Sequence, residues 1–154
     1  MSETAIDIEN KFFGKSVVIV MPCYNDWQSL EHLIPEIDSA FSRVKLQIRI
    51  IIVDDFSSEE LNVEEFLSQT SLETVESISR LRLIRNLGSQ RCIAIGIAHA
   101  SEHELADYLV VADADFQDKP ADMPKLVTEC VRQKNDQIIF ARRTRRSEGA
   151  LFRS

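Results

Sequence analysis

Asp113 and Asp115 stand one residue apart at the end of an apolar run; residues 108–118 read Tyr-Leu-Val-Val-Ala-Asp-Ala-Asp-Phe-Gln-Asp. The apolar part predicts a short strand buried on both faces. The two carboxylates then sit where that strand meets solvent, with Asp118 just beyond. Acids at i and i+2 on an irregular turn can point the same way. Unaided they repel, so the arrangement asks for a cation or a shared proton. Oxygen ligands suit Mg²⁺, Mn²⁺ or Ca²⁺ better than zinc. Against this, acids after a strand also cap turns and the following helix. Taken alone, an Asp-x-Asp favours the capping reading, so the elements around it must decide.

The chain has 154 residues, enough for one domain with a real core, and 44% of them are apolar. The formal net charge is −7, with an isoelectric point near 5.0. No global basic footprint exists, which argues against nucleic acid as a partner. The charge is uneven. Residues 142–154 carry five of the 18 basic residues, all arginine, and one of the 25 acids, Glu148, which leaves the remainder near −11. Three scattered cysteines, Cys23, Cys92 and Cys130, form no Cys-x-x-Cys and read as buried free thiols in a reducing compartment. No apolar run approaches the roughly 20 residues that span a bilayer. The acidic N-terminus has no signal-peptide pattern, so a cytoplasmic location is expected.

Residues 1–15 predict a flexible lead-in. Ser16 to Met21 predicts a buried strand ended by Pro22. A helix follows, with Trp27, Leu30, Ile34, Ile37, Phe41 and Val44 on one face, Asn25 and Gln28 as a capping box, and a kink or restart at Pro35. Gln47 to Val53 predicts the second strand. Ser57 and Glu60 then cap a helix reaching Gln69, and Leu81 to Ile84 makes a short third strand. Ser89 caps a helix whose Ile93, Ile97 and Ala100 share a face. After the Asp113 turn comes a helix with Met123, Leu126, Val127, Cys130 and Val131 inward and Pro124 in its first turn. Gln137 to Ala141 predicts a fifth strand.

Strands alternating with helices specify an α/β fold, a mostly parallel sheet with helices on both faces. Ligands of such sheets bind beyond the carboxyl ends of the strands. Pro22 to Asp26, Asp54-Asp55, Arg85 to Arg91, Asp113 to Asp118 and Arg142 to Arg146 each follow an expected strand, so these clusters should share one rim. Arginines and a metal held by Asp113 and Asp115 suit a diphosphate. Asp54 could accept from a nucleobase N–H, and Asp55 or Asp113 from ribose hydroxyls. There is no Gly-x-x-x-x-Gly-Lys-Ser/Thr loop and no Gly-x-Gly-x-x-Gly after the first strand, so the phosphate is not held as in P-loop or dinucleotide-binding proteins.

The ordered set of motifs resembles the family 2 glycosyltransferases, which have the GT-A fold, and within them the polyprenyl-phosphate, dolichol-phosphate mannosyltransferase-like branch. The segments carrying the resemblance are residues 20–26 (Val-Met-Pro-Cys-Tyr-Asn-Asp), 52–57 (Ile-Val-Asp-Asp-Phe-Ser), 85–88 (Arg-Asn-Leu-Gly) with Ala94 and Gly96, 112–118 with Pro120, and the arginine-bearing 142–149. The resemblance runs from about Ser16 to Ser154 and implies a nucleotide-sugar-binding domain over 16–154 that lacks its acceptor half.

By that resemblance Pro22, Tyr24, Asn25, Asp26, Asp54, Asp55, Arg85 and Asp113 would contact the nucleotide. Asp115, with Asp113, would hold Mn²⁺ or Mg²⁺. Gln117 and Asp118 would face the donor sugar or acceptor, and Arg142 and Arg146 the diphosphate. Asp26 stands where the family usually has Glu, and Phe56 where Gly or Ser is frequent. The implied reaction is inverting transfer of a sugar from a UDP-, GDP- or dTDP-sugar to a polyprenyl phosphate or a glycan, at the inner face of a membrane in a full-length protein. The general base of the family lies downstream, beyond Ser154. A truncated or degenerate nucleotide-binding module without turnover is the alternative. A phosphate-accepting receiver is disfavoured, because its acid pair should follow the first strand and Asp54-Asp55 follow the second. His32, His99 and His103 read as exposed, Cys23 as a packed thiol and Trp27 as core.

Overall fold

The computed structural model describes residue 12 and residues 14–59, 62–133 and 138–141. Four strands, β1 (Ser16–Cys23), β2 (Gln47–Asp54), β3 (Val75–Arg82) and β4 (Tyr108–Val111), form one sheet in the order β3-β2-β1-β4. Every pairing is parallel. The helices are α1 (Trp27–Ser42), α2 (Val63–Gln69), α3 (Ser89–His103) and α4 (Met123–Arg132), with a 3₁₀ turn at Pro120–Asp122 before α4.

The pleat divides the core in two. Val17, Ile19 and Met21 of β1 face α1 with Ile48, Ile50 and Ile52 of β2, and Met123 and Val127 of α4 join them. Val18 and Val20 face the other way, with Ile51, Val53, and Cys92 and Ala100 of α3. β1 and β2 are buried on both faces, as continuous β-branched runs in parallel sheets should be. α3 approaches closely because residue 96 is glycine: a Cβ there would lie 2.3 Å from Val20 Cγ1 and 2.9 Å from Val53 Cγ2.

Several expectations need correction. The strand does not stop before Pro22 but runs to Cys23. Strand residues point their backbone groups alternately to the two neighbours. Cys23 O accepts from Asp55 N on the β2 side, so Pro22 turns its donorless nitrogen to the β4 side, past the last paired residue of β4. Asn25 does not cap α1. Asp26 occupies the cap position without a side-chain bond, and the helix runs uninterrupted through Pro35. α2 begins at Val63, capped by Asn62 Oδ1 accepting from Glu65 N at 3.2 Å, and not at Ser57. The third strand is Val75–Arg82, longer and earlier than Leu81 to Ile84. Asp38 at the far end of the sheet pins its start, accepting from the backbone N–H groups of Glu73, Thr74 and Val75. Gly88, not Ser89, is the cap residue of α3, whose inward face is Cys92, Gly96 and Ala100. In the lead-in, Phe12 is buried edge-on against Tyr108, and Lys15 pairs with Asp107 at 2.7 Å.

β4 is buried on one face only: Leu109 and Val111 are 40% and 39% exposed on the α3 side of the sheet. The expected fifth strand is not formed over 138–141, where Ile138 and Phe140 are 82% and 83% exposed. Handedness disfavours a parallel strand beside β4 at this point. The crossover through α1 leads toward β3, and the one through α3, on the opposite face, leads back past β1 to β4, so both have the same hand. α4 packs on the α1 face. The same hand carried through α4 would lead back toward β3, where the place beside β4 already holds β1. A parallel strand outside β4 would need the disfavoured left-handed crossover.

Candidate functional site

The carboxyl ends of all four strands lie at one rim, and a pocket opens there. Its walls come from the β1–α1 connection (Pro22, Cys23, Tyr24, Asp26), the end of β2 (Asp55), the start of α3 (Ser89, Cys92) and the β4–α4 connection (Asp113, Ala114, Asp115). Four of the five polar clusters therefore meet as expected. The fifth, Arg142 to Arg146, lies outside the described residues, and with it the expected diphosphate ligands Arg142 and Arg146.

Asp113 and Asp115 face the same pocket, as the i, i+2 spacing on a turn allows. Asp115 is exposed, and its carboxylate accepts from the Gln117 backbone N–H at 3.0 Å and from the Gln117 side-chain amide. Asp113 N donates to Asp118 Oδ2 at 3.4 Å. Phe116 between them has φ +61°, a conformation that strains a bulky side chain. Among the described residues no group of three or more His, Cys, Asp or Glu side chains closes around a metal position. Two carboxylates facing one pocket could hold a hard cation that takes its remaining ligands from outside the protein.

The other acid pair separates. Adjacent strand residues point to opposite faces. Asp54 turns to the α1 side and is fully buried. Its Oδ1 accepts from Ser57 N at 2.9 Å, and its Oδ2 from Arg80 Nε and Nη2 at 3.1 and 2.6 Å. Burial alone would raise its pKa, but the Ser57 hydroxyl, the Arg80 guanidinium and the Ser57 amide together hold it below the ordinary value. Asp54 is therefore not part of the pocket wall. Asp55 turns to the α3 side and does line the pocket. Its two oxygens accept from Leu87 N at 2.6 Å and Gly88 N at 2.8 Å, fastening the turn that leads into α3. Burial, then the hydrogen bond to Asp55, push the Cys92 thiol up to about 11; burial does the same for Cys23. Both are inert packed thiols at neutral pH.

Of the remaining expected residues, Asn25 is not a wall but a clamp. At φ +56° it donates its N–H to Ser57 Oγ at 2.9 Å, and its Oδ1 accepts from Ser58 N and Oγ at 2.9 and 3.0 Å. Tyr24 stands half exposed at the pocket mouth. Arg85 is exposed in the turn after β3 and does not reach the pocket wall. Trp27 is core, as expected, with its Nε1 donating to Glu59 O. Arg80 escaped the sequence reading: it lies in a polar stretch given no element, and only the pairing of Arg80 with Ile52 and Arg82 with Asp54 puts it beside Asp54.

The architecture is that of the GT-A fold. The crystal structure of S. aureus TarS 1-349 superposes with a TM-score of 0.55 at 17% identity, over 79% of this chain and 33% of that one. The structure of the same TarS segment in complex with UDP gives 0.55 and 17% over 78% and 33%. Among proteins of similar sequence is the undecaprenyl-phosphate 4-deoxy-4-formamido-L-arabinose transferase of Enterobacter sp. (strain 638). It is 31% identical over 147 residues, 90% of this chain and 43% of that protein. The protein of the same name from Yersinia enterocolitica serotype O:8 / biotype 1B is 33% identical over 139 residues, 90% and 40% respectively. The chain thus spans about two-fifths of the length of the relatives it matches. The model of the family described as Glycosyl transferase family 2 matches residues 18–154, and the chain belongs to that family.

Proposed function

We propose that this chain is the donor-binding part of a glycosyltransferase that moves a sugar from a nucleoside diphosphate to a polyprenyl phosphate, with inversion. The observation that carries the reading is the convergence of Asp113 and Asp115 with Tyr24, Asp26 and Asp55 on one pocket at the carboxyl ends of parallel strands. Tyr24 supplies an aromatic face at the mouth for a base, and Asp26 and Asp55 acceptors for base N–H or ribose hydroxyl groups. Four of the described wall residues are carboxylates and none is Lys or Arg, so a diphosphate cannot enter unaided. Asp113 and Asp115 would hold Mn²⁺ or Mg²⁺ between protein and diphosphate, and a cation bound there supplies charge neutralisation for the leaving group. Arg142 and Arg146 would add to that neutralisation. Gln117 and Asp118 would lie beside the donor sugar.

The relatives' printed names support undecaprenyl phosphate as acceptor. A lipid phosphate is already ionised and needs little general-base help. No helix among the described residues is long and apolar enough to cross a membrane; the transfer would take place at the cytoplasmic face of one. Calorimetric titration with UDP, GDP, dTDP and their sugars, with and without MnCl₂, tests the reading. Cation-dependent binding of one nucleotide is expected; a folded sample that binds none of them refutes it.

A further inference from the structure

We infer that Arg80, which is no part of the pocket wall, is a positioning residue that holds the nucleotide-facing side of the pocket in shape. Its guanidinium lies between two groups from different elements. Both Nε and Nη2 reach Asp54 Oδ2, and Cζ stands 5.1 Å from the ring centroid of Trp27. The links between the β1–α1 and β2–α2 connections run outward from those two groups. Asp54 Oδ1 accepts from Ser57 N, Ser57 Oγ accepts from Asn25 N, and Asn25 Oδ1 accepts from Ser58. Trp27 Nε1 donates to Glu59 O at 2.6 Å. Asn25 sits between the wall residues Tyr24 and Asp26 in a left-handed conformation that needs this support.

The arrangement follows from register. Arg80 is paired with Ile52 and Arg82 with Asp54 across parallel strands, so Arg80, Arg82 and Asp54 share the α1 face of the sheet. Arg82 adds a contact at 3.9 Å to Asp54 and a hydrogen bond from Nη2 to Ser57 O at 3.2 Å. Arg80 makes the closer, two-pronged contact and is the more buried, its side chain 17% exposed against 40%. A lysine could neutralise Asp54, but it could not bond it through two nitrogens while lying flat on Trp27. The hydrogen bonds and ring contact of Arg80 given above all lead to the β1–α1 and β2–α2 connections. The prediction is therefore selective: losing Arg80 disturbs the Tyr24–Asp26 wall and leaves the Asp113–Asp115 turn as it is.

The consequence for ligand affinity rests on the pocket being the nucleotide site; the positioning itself does not. The test uses Arg80→Met and the double variant Asp54→Asn with Arg80→Met, in which no buried charge is left alone. Amide hydrogen exchange at Asn25, Ser57 and Ser58 is read without ligand. UDP affinity in MnCl₂ is read well below each melting temperature. Arg80→Met should lower the melting temperature, and Asp54→Asn should recover it. Exchange at the three amides should stay raised by roughly tenfold in the double variant, and UDP should bind roughly tenfold more weakly, the factor set by losing one charge-assisted hydrogen bond. Exchange at Asp113 to Asp118 should not change. If the double variant regains amide protection and UDP affinity along with its melting temperature, Arg80 is only structural and the inference fails. It fails equally if Arg80→Met leaves the three amides protected. Should the unaltered chain bind none of UDP, GDP and dTDP in MnCl₂, the nucleotide reading is what falls, and the exchange data alone decide the role of Arg80; should it bind GDP or dTDP instead, that nucleotide replaces UDP in the affinity measurement.

Discussion

The rim carries two pairs of aspartates that the structure uses in opposite ways. Asp54 and Asp55 are adjacent at the end of a strand, so the pleat sends them to opposite faces. Each is bonded by protein groups, Asp54 by Arg80 and Ser57 and Asp55 by Leu87 and Gly88, and Asp55 also faces the pocket. Asp113 and Asp115 are two apart on a turn and face one pocket together, and the Asp115 carboxylate accepts from Gln117 of its own loop. The first pair builds the pocket and the second is placed to hold something in it. A spacing of one residue separates a framework pair from the pair proposed to hold a cation.

The largest expected effect tests that division by stability. Asp54→Ala strands Arg80 beside a buried, uncompensated position and should cost about 3–5 kcal/mol in urea denaturation. Asp113→Ala and Asp115→Ala should each cost under ~1 kcal/mol. Equal losses at the two pairs would erase the distinction. Binding should reverse the ranking: Asp115→Ala should weaken cation-dependent UDP binding at least about tenfold by calorimetry, with the ligand-free melting temperature unmoved.

Acid titration gives a third, smaller contrast. Asp54 and Asp38 have folded pKa values below their ordinary 3.8. Their stabilisation is fully present above that value and is lost as pH falls from it through the folded value. The acid limb of stability should therefore flatten in Asp54→Asn, read from denaturation midpoints between about pH 5 and pH 2. The smallest effect is on thiol chemistry. Cys92 and Cys23, both at about 11, should resist iodoacetamide at pH 8 while the half-buried Cys130 reacts first. Asp55→Ala should speed labelling of Cys92. An unchanged rate there would mean that Asp55 does not close over the thiol.

Much of this was legible in the residues. Long β-branched runs announced β1 and β2, and the apolar spacing from Trp27 to Phe41 announced α1, because burial imposes those periods directly. β3 was placed too late and too short because its Glu76, Ser77 and Arg82 are exposed, so no apolar alternation marks its start. α3 misled for a different reason. Its isoleucines suggested the inward face, but the helix sits so close to the sheet that the small residues Cys92, Gly96 and Ala100 face it instead. Asn25 and Ser57 had the right types for helix caps and became a clamp between two connections.

The sequence by itself determined the order of strands and helices, the parallel sheet, the common rim and the kind of chemistry the rim could hold, since local periodicity and side-chain type carry that information. Only the tertiary structure decided which face each carboxylate takes and which cation answers it. Asp54 and Arg80 are 26 residues apart and meet through the register of β2 with β3, a long-range choice that no local spacing encodes.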